Sequence, residues 1–227
     1  MAIGLIHWWP QRSQRGIFEA NFNVFAEKVL EILNELDQKL LDESGDMLLH
    51  PIAFYDELDR TELRIWCSHR GRYTLPTVEL VAWLREVIGR RTCIEIAAGK
   101  GDLARHLGIK ATDSYMQEIP LIKGIYEKAR QATTNPPADV ERLEASEAIA
   151  KYRPQVVLGS WVSGQSLATV AGVDEEYVVS HSDYIHIGNR GTHEQKSLRE
   201  MPHEEYVFPF ITRAKNPNEN VIWVWRK

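Results

Sequence analysis

Apolar positions near the start of the chain recur at steps of three and four. Phe18, Phe22, Phe25, Val29, Ile32, Leu33, Leu36 and Leu40 form one stripe, which predicts an amphipathic helix over residues 17–41. Ser44-Gly45-Asp46 stops it. An irregular stretch follows over residues 50–73, with a short strand-like piece at 63–67. A second helix begins after Thr77 as N-cap, carries Val78, Val81, Leu84 and Val87 as its expected apolar stripe, and ends at Gly89. From residue 92 the period changes. Short apolar runs at 92–96, 109–112, 138–143, 155–159 and 183–187 read as strands. Helical patterns at 102–107, 119–131, 144–152 and within 164–178 separate most of them. Such alternation predicts parallel βαβ units with helices on both faces of a sheet. The end breaks the pattern: 206–213, the turn-rich 215–220 and 221–225 read as an antiparallel hairpin. The expected fold class is therefore α/β, a mostly parallel sheet closed by a C-terminal hairpin and preceded by a helical extension.

Composition narrows the function classes. The 227 residues suit one domain plus an elaboration, at roughly 150 residues per domain. Hydrophobic residues at 44% and charged residues at 26% exclude a disordered or fibrous chain. A net charge of −5 argues against passive coating of nucleic acid, which depends on neutralising phosphates. Cys67 and Cys93 are the only cysteines, so a reducing compartment is expected rather than a disulfide scaffold, and no metal-type cluster is expected. No run approaches the ~20 apolar residues of a membrane span. The first fifteen residues lack the long apolar stretch and leading positive charge of a secretory signal. These features lead to the expectation of a soluble, cytoplasmic protein with no membrane partner.

One stretch carries chemistry. An apolar strand bearing Glu95 runs into Ala97-Ala98-Gly99-Lys100-Gly101, and a helix opens at Asp102, read as its cap. Gly99 and Gly101 allow a sharp turn and a close ligand approach to the backbone. The helix start offers unpaired N–H groups to a carboxylate or phosphate. A second short strand then leads to Asp113, placed to hold two ribose hydroxyls. Dinucleotide-binding folds share this outline, and Gly99 to Ala104 fits GxGxxA. Their acid lies about 20 residues on, whereas Asp113 follows Gly99 by fourteen, and the pyrophosphate reading gives Glu95 no role.

Residues 95–101 resemble the first motif of the class I S-adenosylmethionine-dependent methyltransferases: an acid, then x-G-x-G-x-G after an apolar strand, with Ala97 at the first glycine. The resemblance implies a Rossmann-like seven-stranded, mostly parallel sheet over residues 76–227, whose last strand is antiparallel. Residues 1–75 would then be a helical extension and the source of acceptor specificity. It implies S-adenosyl-L-methionine as cofactor. Glu95 would hold the methionine amino end, Ala97, Gly99 and Gly101 would face the cofactor, and Asp113 would take the ribose. Residues 140–145 are similar to the segment after the third strand, where Glu144 beside Ala145 would approach the adenine amino group. Residues 155–161 look like the fourth strand, whose end, Ser160 and Trp161, would border the methyl group. Tyr73 stands where a cofactor-covering segment is expected.

The acceptor is expected to be a small molecule, with a protein or nucleic acid as the second choice. His193, and after it His186, are the candidates for a base that removes an acceptor proton. His181 and Asp183 are lesser candidates. Asn135-Pro136-Pro137 reads as a loop turn, His106 as structural, and Trp8 and Trp9 as a stapled N-terminus or a substrate lid. Two other classes stay open: a non-catalytic binding protein that keeps this fold, and an NAD(P)-dependent oxidoreductase.

Overall fold

The computed structural model describes residues 12–163, 172–193 and 196–227; Trp8, Trp9 and residues 164–171 of the expected fourth helical segment lie outside these. The helical extension comprises α1 (Arg12–Leu40), α2 (Ile52–Asp56) and α3 (Arg60–Arg70). The expected strand at 63–67 is absent, because this piece lies within α3. Leu63, Trp66 and Cys67 share one buried face at helical spacing, which a short apolar run does not distinguish from a strand. The Asp59 carboxylate accepts the N–H groups of Thr61 and Glu62 at the start of α3, and Gly71, at φ 63°, ends it. These helices bury Leu40, Tyr55, Trp66 and Cys67 in a core of their own, closed by Leu75 and Ile211.

The remainder is the α/β body. Its strands and helices are β1 (Thr74–Leu75), α4 (Val78–Ile88), β2 (Cys93–Ile96), α5 (Asp102–Leu107), β3 (Lys110–Asp113) and α6 (Pro120–Lys128). Next come β4 (Glu141–Arg142), α7 (Ala145–Tyr152), β5 (Val156–Ser160), α8 (Glu175–His181) and β6 (Asp183–Asn189). The chain closes with α9 (Lys196–Glu200), β7 (Glu204–Tyr206), β8 (Ile211–Thr212) and β9 (Asn220–Trp225). The Thr77 hydroxyl caps α4 by accepting the Leu80 N–H at 3.1 Å, as the sequence predicts.

Seven strands form one sheet in the order β4-β3-β2-β5-β6-β9-β7. β4 through β6 pair in parallel, and β9 is antiparallel to both neighbours. Period-two alternation sorts the side chains. Val156, Leu158, Ile185, Ile187, Ile222 and Val224 pack with α4 and α5 on one face. Val157, Tyr184, Val221, Trp223 and Trp225 pack with α7, α8 and α9 on the other. The terminal hairpin differs from the expected one: its first strand is β7, at 204–206. Pro209 has no N–H to donate and interrupts any longer ladder, and β8 leaves the sheet to pair with β1. Among the described residues no helix is long and apolar enough to cross a membrane.

The two cores meet through polar contacts. Arg72 forms a buried ion pair with Asp102, and its other amino group donates to the Gly45 carbonyl at 2.9 Å. His106 Nε2 lies 2.9 Å from the Met47 carbonyl, giving this histidine its structural role. Asp102 is the first helical residue of α5, and the N-cap itself is Gly101. Its carboxylate is spent on Arg72 and not on capping.

Candidate functional site

Strand order reverses at β2, with β3 on one side and β5 on the other. Chains leaving the carboxyl ends of these strands diverge and open a crevice, the usual ligand position in such sheets. The cleft there is open to solvent and holds about 90 Å³ of room for water-sized groups.

Its floor is the loop after β2. Ala97, Gly99 and Gly101 all take positive φ, at 48°, 55° and 71°. A Cβ at position 101 would stand 2.9 Å from Val140 Cγ2, so glycine is required there for space as well as for φ. Ala97 carries the strain alone. A left-handed L-residue costs roughly 1–2 kcal/mol, and glycine returns about half of that in unfolded-state entropy. Ala97→Gly should therefore stabilise the protein by about 0.5–1 kcal/mol, read as a higher urea midpoint; a lower midpoint would refute the strain argument.

Three carboxylates converge on this floor. Glu95 is buried, and its Oε2 accepts the Ala104 N–H from the first turn of α5 at 2.9 Å. Burial pushes its pKa up to about 8, opposed by that hydrogen bond and reinforced by the charges of Asp102 and Asp113. Asp113 accepts the Gly99 N–H at 2.9 Å and the Tyr115 N–H at 2.7 Å. Burial raises its pKa, and those two N–H groups oppose the rise. Glu144 precedes α7, its own N–H held by Glu147 at 3.1 Å. Burial, then the charges of Glu147 and Asp113, raise its pKa. Among the described residues none of the three lies in an ion pair.

The far wall is aromatic and hydroxylic. Ser160 Oγ donates to Thr74 Oγ1 at 2.8 Å, tying the end of β5 to β1. Trp161, at φ 53°, donates its N–H to the Ile187 carbonyl at 2.9 Å. Its ring stands 5.8 Å from that of Tyr73, whose hydroxyl lies 3.4 Å from the Tyr126 hydroxyl.

Of the residues singled out in the sequence for the cofactor, Tyr73, Glu95, Ala97, Gly99, Asp113, Glu144, Ala145, Ser160 and Trp161 line this cleft. Gly101 stands behind its wall. The sequence reading missed Arg72, Lys100, Asp102 and Tyr126, which line it too. Arg72 is buried, and its Nε has no partner; the only signal in the sequence was its place beside Tyr73.

The two histidines lie elsewhere. His186 is buried on β6, its Nδ1 3.0 Å from Glu175 Oε1, which also accepts the Tyr184 hydroxyl at 2.7 Å. His193 Nδ1 accepts the Asn189 N–H at 3.0 Å. The Asn189 carbonyl already accepts the N–H groups of Thr192 and His193, so the neutral ring carries its proton on Nε2. Burial, then the neighbouring His186, holds the His193 pKa down near about 3. Neither imidazole lines the cleft. The expected base is thus placed as a neutral donor, because its acceptor nitrogen is used by its own loop. Glu175, which organises His186 and Tyr184, went unnoticed, since no spacing in the sequence connects α8 to β6. His181 and Asp183 are also away from the cleft, with Asp183 paired to Arg91 at 2.6 Å.

No family model and no curated protein matches this chain. Several solved structures are similar over part of it. WbdD, crystallised with the kinase inhibitor LY294002, matches at 10% identity and a TM-score of 0.37, covering 66% of this chain and 40% of WbdD. A Thermoplasma acidophilum protein matches at 16% identity and a TM-score of 0.33, covering 65% of this chain and 85% of its own. The glycopeptide N-methyltransferase MtfA, complexed with sinefungin, matches at 16% identity and a TM-score of 0.28, covering 56% and 58%. This chain therefore spans less than half the length of WbdD. Identities are low and the superpositions partial, so the fold rests on the sheet itself. With five parallel strands reversing order at β2 and an antiparallel strand inserted before the edge, the chain has a Rossmann-like α/β fold.

Proposed function

We propose that the cleft binds S-adenosyl-L-methionine and that the chain transfers its methyl group to a small-molecule acceptor. The observation that carries this reading is the group of three carboxylates, Glu95, Asp113 and Glu144, lining one cleft without a cationic partner among the described residues. With Arg72 and Lys100 also lining the cleft, the site offers carboxyl groups to an ammonium and a ribose diol beside cations for a carboxylate. Glu95 already occupies an N–H at the start of α5, where a pyrophosphate would otherwise sit.

Each wall then has a task. Glu95 takes the ammonium, Asp113 the two ribose hydroxyls and Glu144 the adenine amino group. Arg72, with its unpartnered Nε, takes the carboxylate. Tyr73 and Trp161 present ring faces to the positive sulfur, and Ser160 borders the methyl group. When bound, the cofactor supplies a methyl carbon whose bond to sulfur breaks, sulfur keeping the electron pair, as the bond to the acceptor forms. The protein's contribution is alignment and exclusion of water. In this reading the helical extension α1–α3 serves the acceptor, and the free Cys67 and Cys93 suit a reducing, cytoplasmic setting.

Calorimetric titration with S-adenosylmethionine, S-adenosylhomocysteine and NAD tests the reading. The first two should saturate one site, and Asp113→Ala should weaken both by about 1–3 kcal/mol through loss of charged hydrogen bonds. Binding of NAD alone, or unchanged affinity in the variant, would refute the assignment.

A further inference from the structure

Beyond the cofactor residues, one cation at the aromatic wall has no counter-ion among the described residues. Arg213, just after β8, stacks its guanidinium on the Tyr73 ring, with Cζ 3.8 Å from the ring centroid and 5.9 Å from that of Trp161. One amino group donates to the neutral Gln131 Oε1 at 3.0 Å. The other, NH1, is enclosed and has no partner. Among the described residues no carboxylate lies within ion-pair distance of this side chain. Stacking satisfies the face of the guanidinium and leaves its in-plane N–H groups unused.

Trp161 repeats the pattern. Its indole Nε1, a donor only, is also enclosed without an acceptor. On this ring's other flank stands His193, 5.1 Å away, whose neutral form carries its proton on Nε2. Among the described residues the Arg213 NH1 and the Trp161 indole N–H are thus two enclosed donors without an acceptor at one wall. Native proteins rarely leave enclosed donors orphaned; a water, an ion or a ligand supplies the partner, and for a guanidinium without a counter-ion an anionic ligand is the strongest of these.

We infer that Arg213 and the Trp161 indole, at the Tyr73–Trp161 wall of the cleft, hold the carboxylate of a small molecule; Arg213 stands behind that wall and reaches the ligand past the two rings. The planar guanidinium edge matches the two oxygens of a carboxylate, and the rings of Tyr73 and Trp161 favour a flat apolar body behind it. This inference rests on the reading above only in calling the ligand the methyl acceptor. The anion site itself stands on Arg213 and Trp161.

Benzoate is the probe, with benzamide as its neutral isostere and inorganic phosphate as a different anion. The full chain is titrated with each by calorimetry, with and without S-adenosylhomocysteine, while the Trp161 indole N–H is followed by NMR after assignment with Trp161→Phe. Benzoate should bind saturably and move that resonance. Arg213→Gln should weaken benzoate about tenfold or more, and benzamide should bind the unaltered protein at least as weakly. Arg213→Lys, which keeps the charge, should retain part of the affinity, and Trp161→Phe should lose part of it. These two variants decide the matter if Arg213→Gln fails to fold. No benzoate binding, equal binding to Arg213→Gln, or phosphate or benzamide binding as well as benzoate would overturn the inference. If benzoate behaves as expected while S-adenosylhomocysteine does not bind, the cofactor reading falls and the anion site stands; the opposite pair of results does the reverse.

Discussion

Arg72→Met should lower the unfolding free energy by about 3 kcal/mol, because it strands a buried carboxylate. Arg72 and Asp102 are 6% and 8% exposed, so neither charge is compensated by water once its partner is gone. Arg105 approaches the other Asp102 oxygen at 3.4 Å, which keeps the loss at the lower end for buried pairs. Arg72 also donates to the Gly45 carbonyl and packs its guanidinium over Trp66, so its removal loosens the helical extension from α5. Urea unfolding measures the effect. The double variant Arg72→Met, Asp102→Leu should recover most of the loss, since it removes both charges together. A loss below about 1 kcal/mol in the single variant would place the pair in the solvated class of ion pairs.

The second large effect is a pH dependence of cofactor affinity. Glu95 has a pKa of about 8 in the free protein against an ordinary 4.5, owing to burial. Below pH 8 the carboxyl is mostly protonated, yet an ammonium is held by the carboxylate. Binding must then expel the proton, and affinity for S-adenosylmethionine should rise about tenfold per pH unit between pH 5 and 7, flattening near 8. At pH 7 about 0.9 proton should be released on binding, measured by calorimetry in two buffers of different ionisation enthalpy. Glu95→Gln should bind more weakly and without this slope. A flat profile in the unaltered protein would show that Glu95 does not hold the ammonium. In the free protein the folded state holds this proton more tightly than the unfolded chain. Glu95 therefore lowers stability progressively as pH rises from about 4.5 to 8, and adds no further pH dependence above that.

Local rules account for most of what the sequence reading obtained. The helix ending at Leu40, with Ile32, Leu33, Leu36 and Leu40 buried though Phe25 of the expected stripe is exposed, the Thr77 cap, the Gly89 stop and the helix at 102–107 each depend on a few neighbouring residues, and each is present. The strand ends near Glu95 and Ser160 could be read because parallel strands buried on both faces are short apolar runs, whereas β3 (Lys110–Asp113) is largely polar and was read from its place after α5. Where a run was short enough to fit two periods, as at 63–67, local pattern did not decide, and burial against α1 and α2 made it helix. The strand expected at 138–143 shrinks to β4, which pairs only with β3 at the sheet edge.

By itself, then, the sequence determined the alternation of strands and helices, the glycine loop after β2, and the acids placed at strand ends. These are consequences of backbone φ, side-chain period and turn chemistry over a few residues. Only the tertiary structure decided which charges meet. Arg72 reaches Asp102 across thirty residues, Arg213 comes to Tyr73 because β8 pairs with β1, and Glu175 takes His186 from the neighbouring strand. Tertiary structure also engaged His193 Nδ1 in its own loop, where it accepts the Asn189 N–H at 3.0 Å and lies 3.2 Å from the Asn189 carbonyl. Such pairings are set by sheet register and by the burial of charge, and both depend on how distant segments pack.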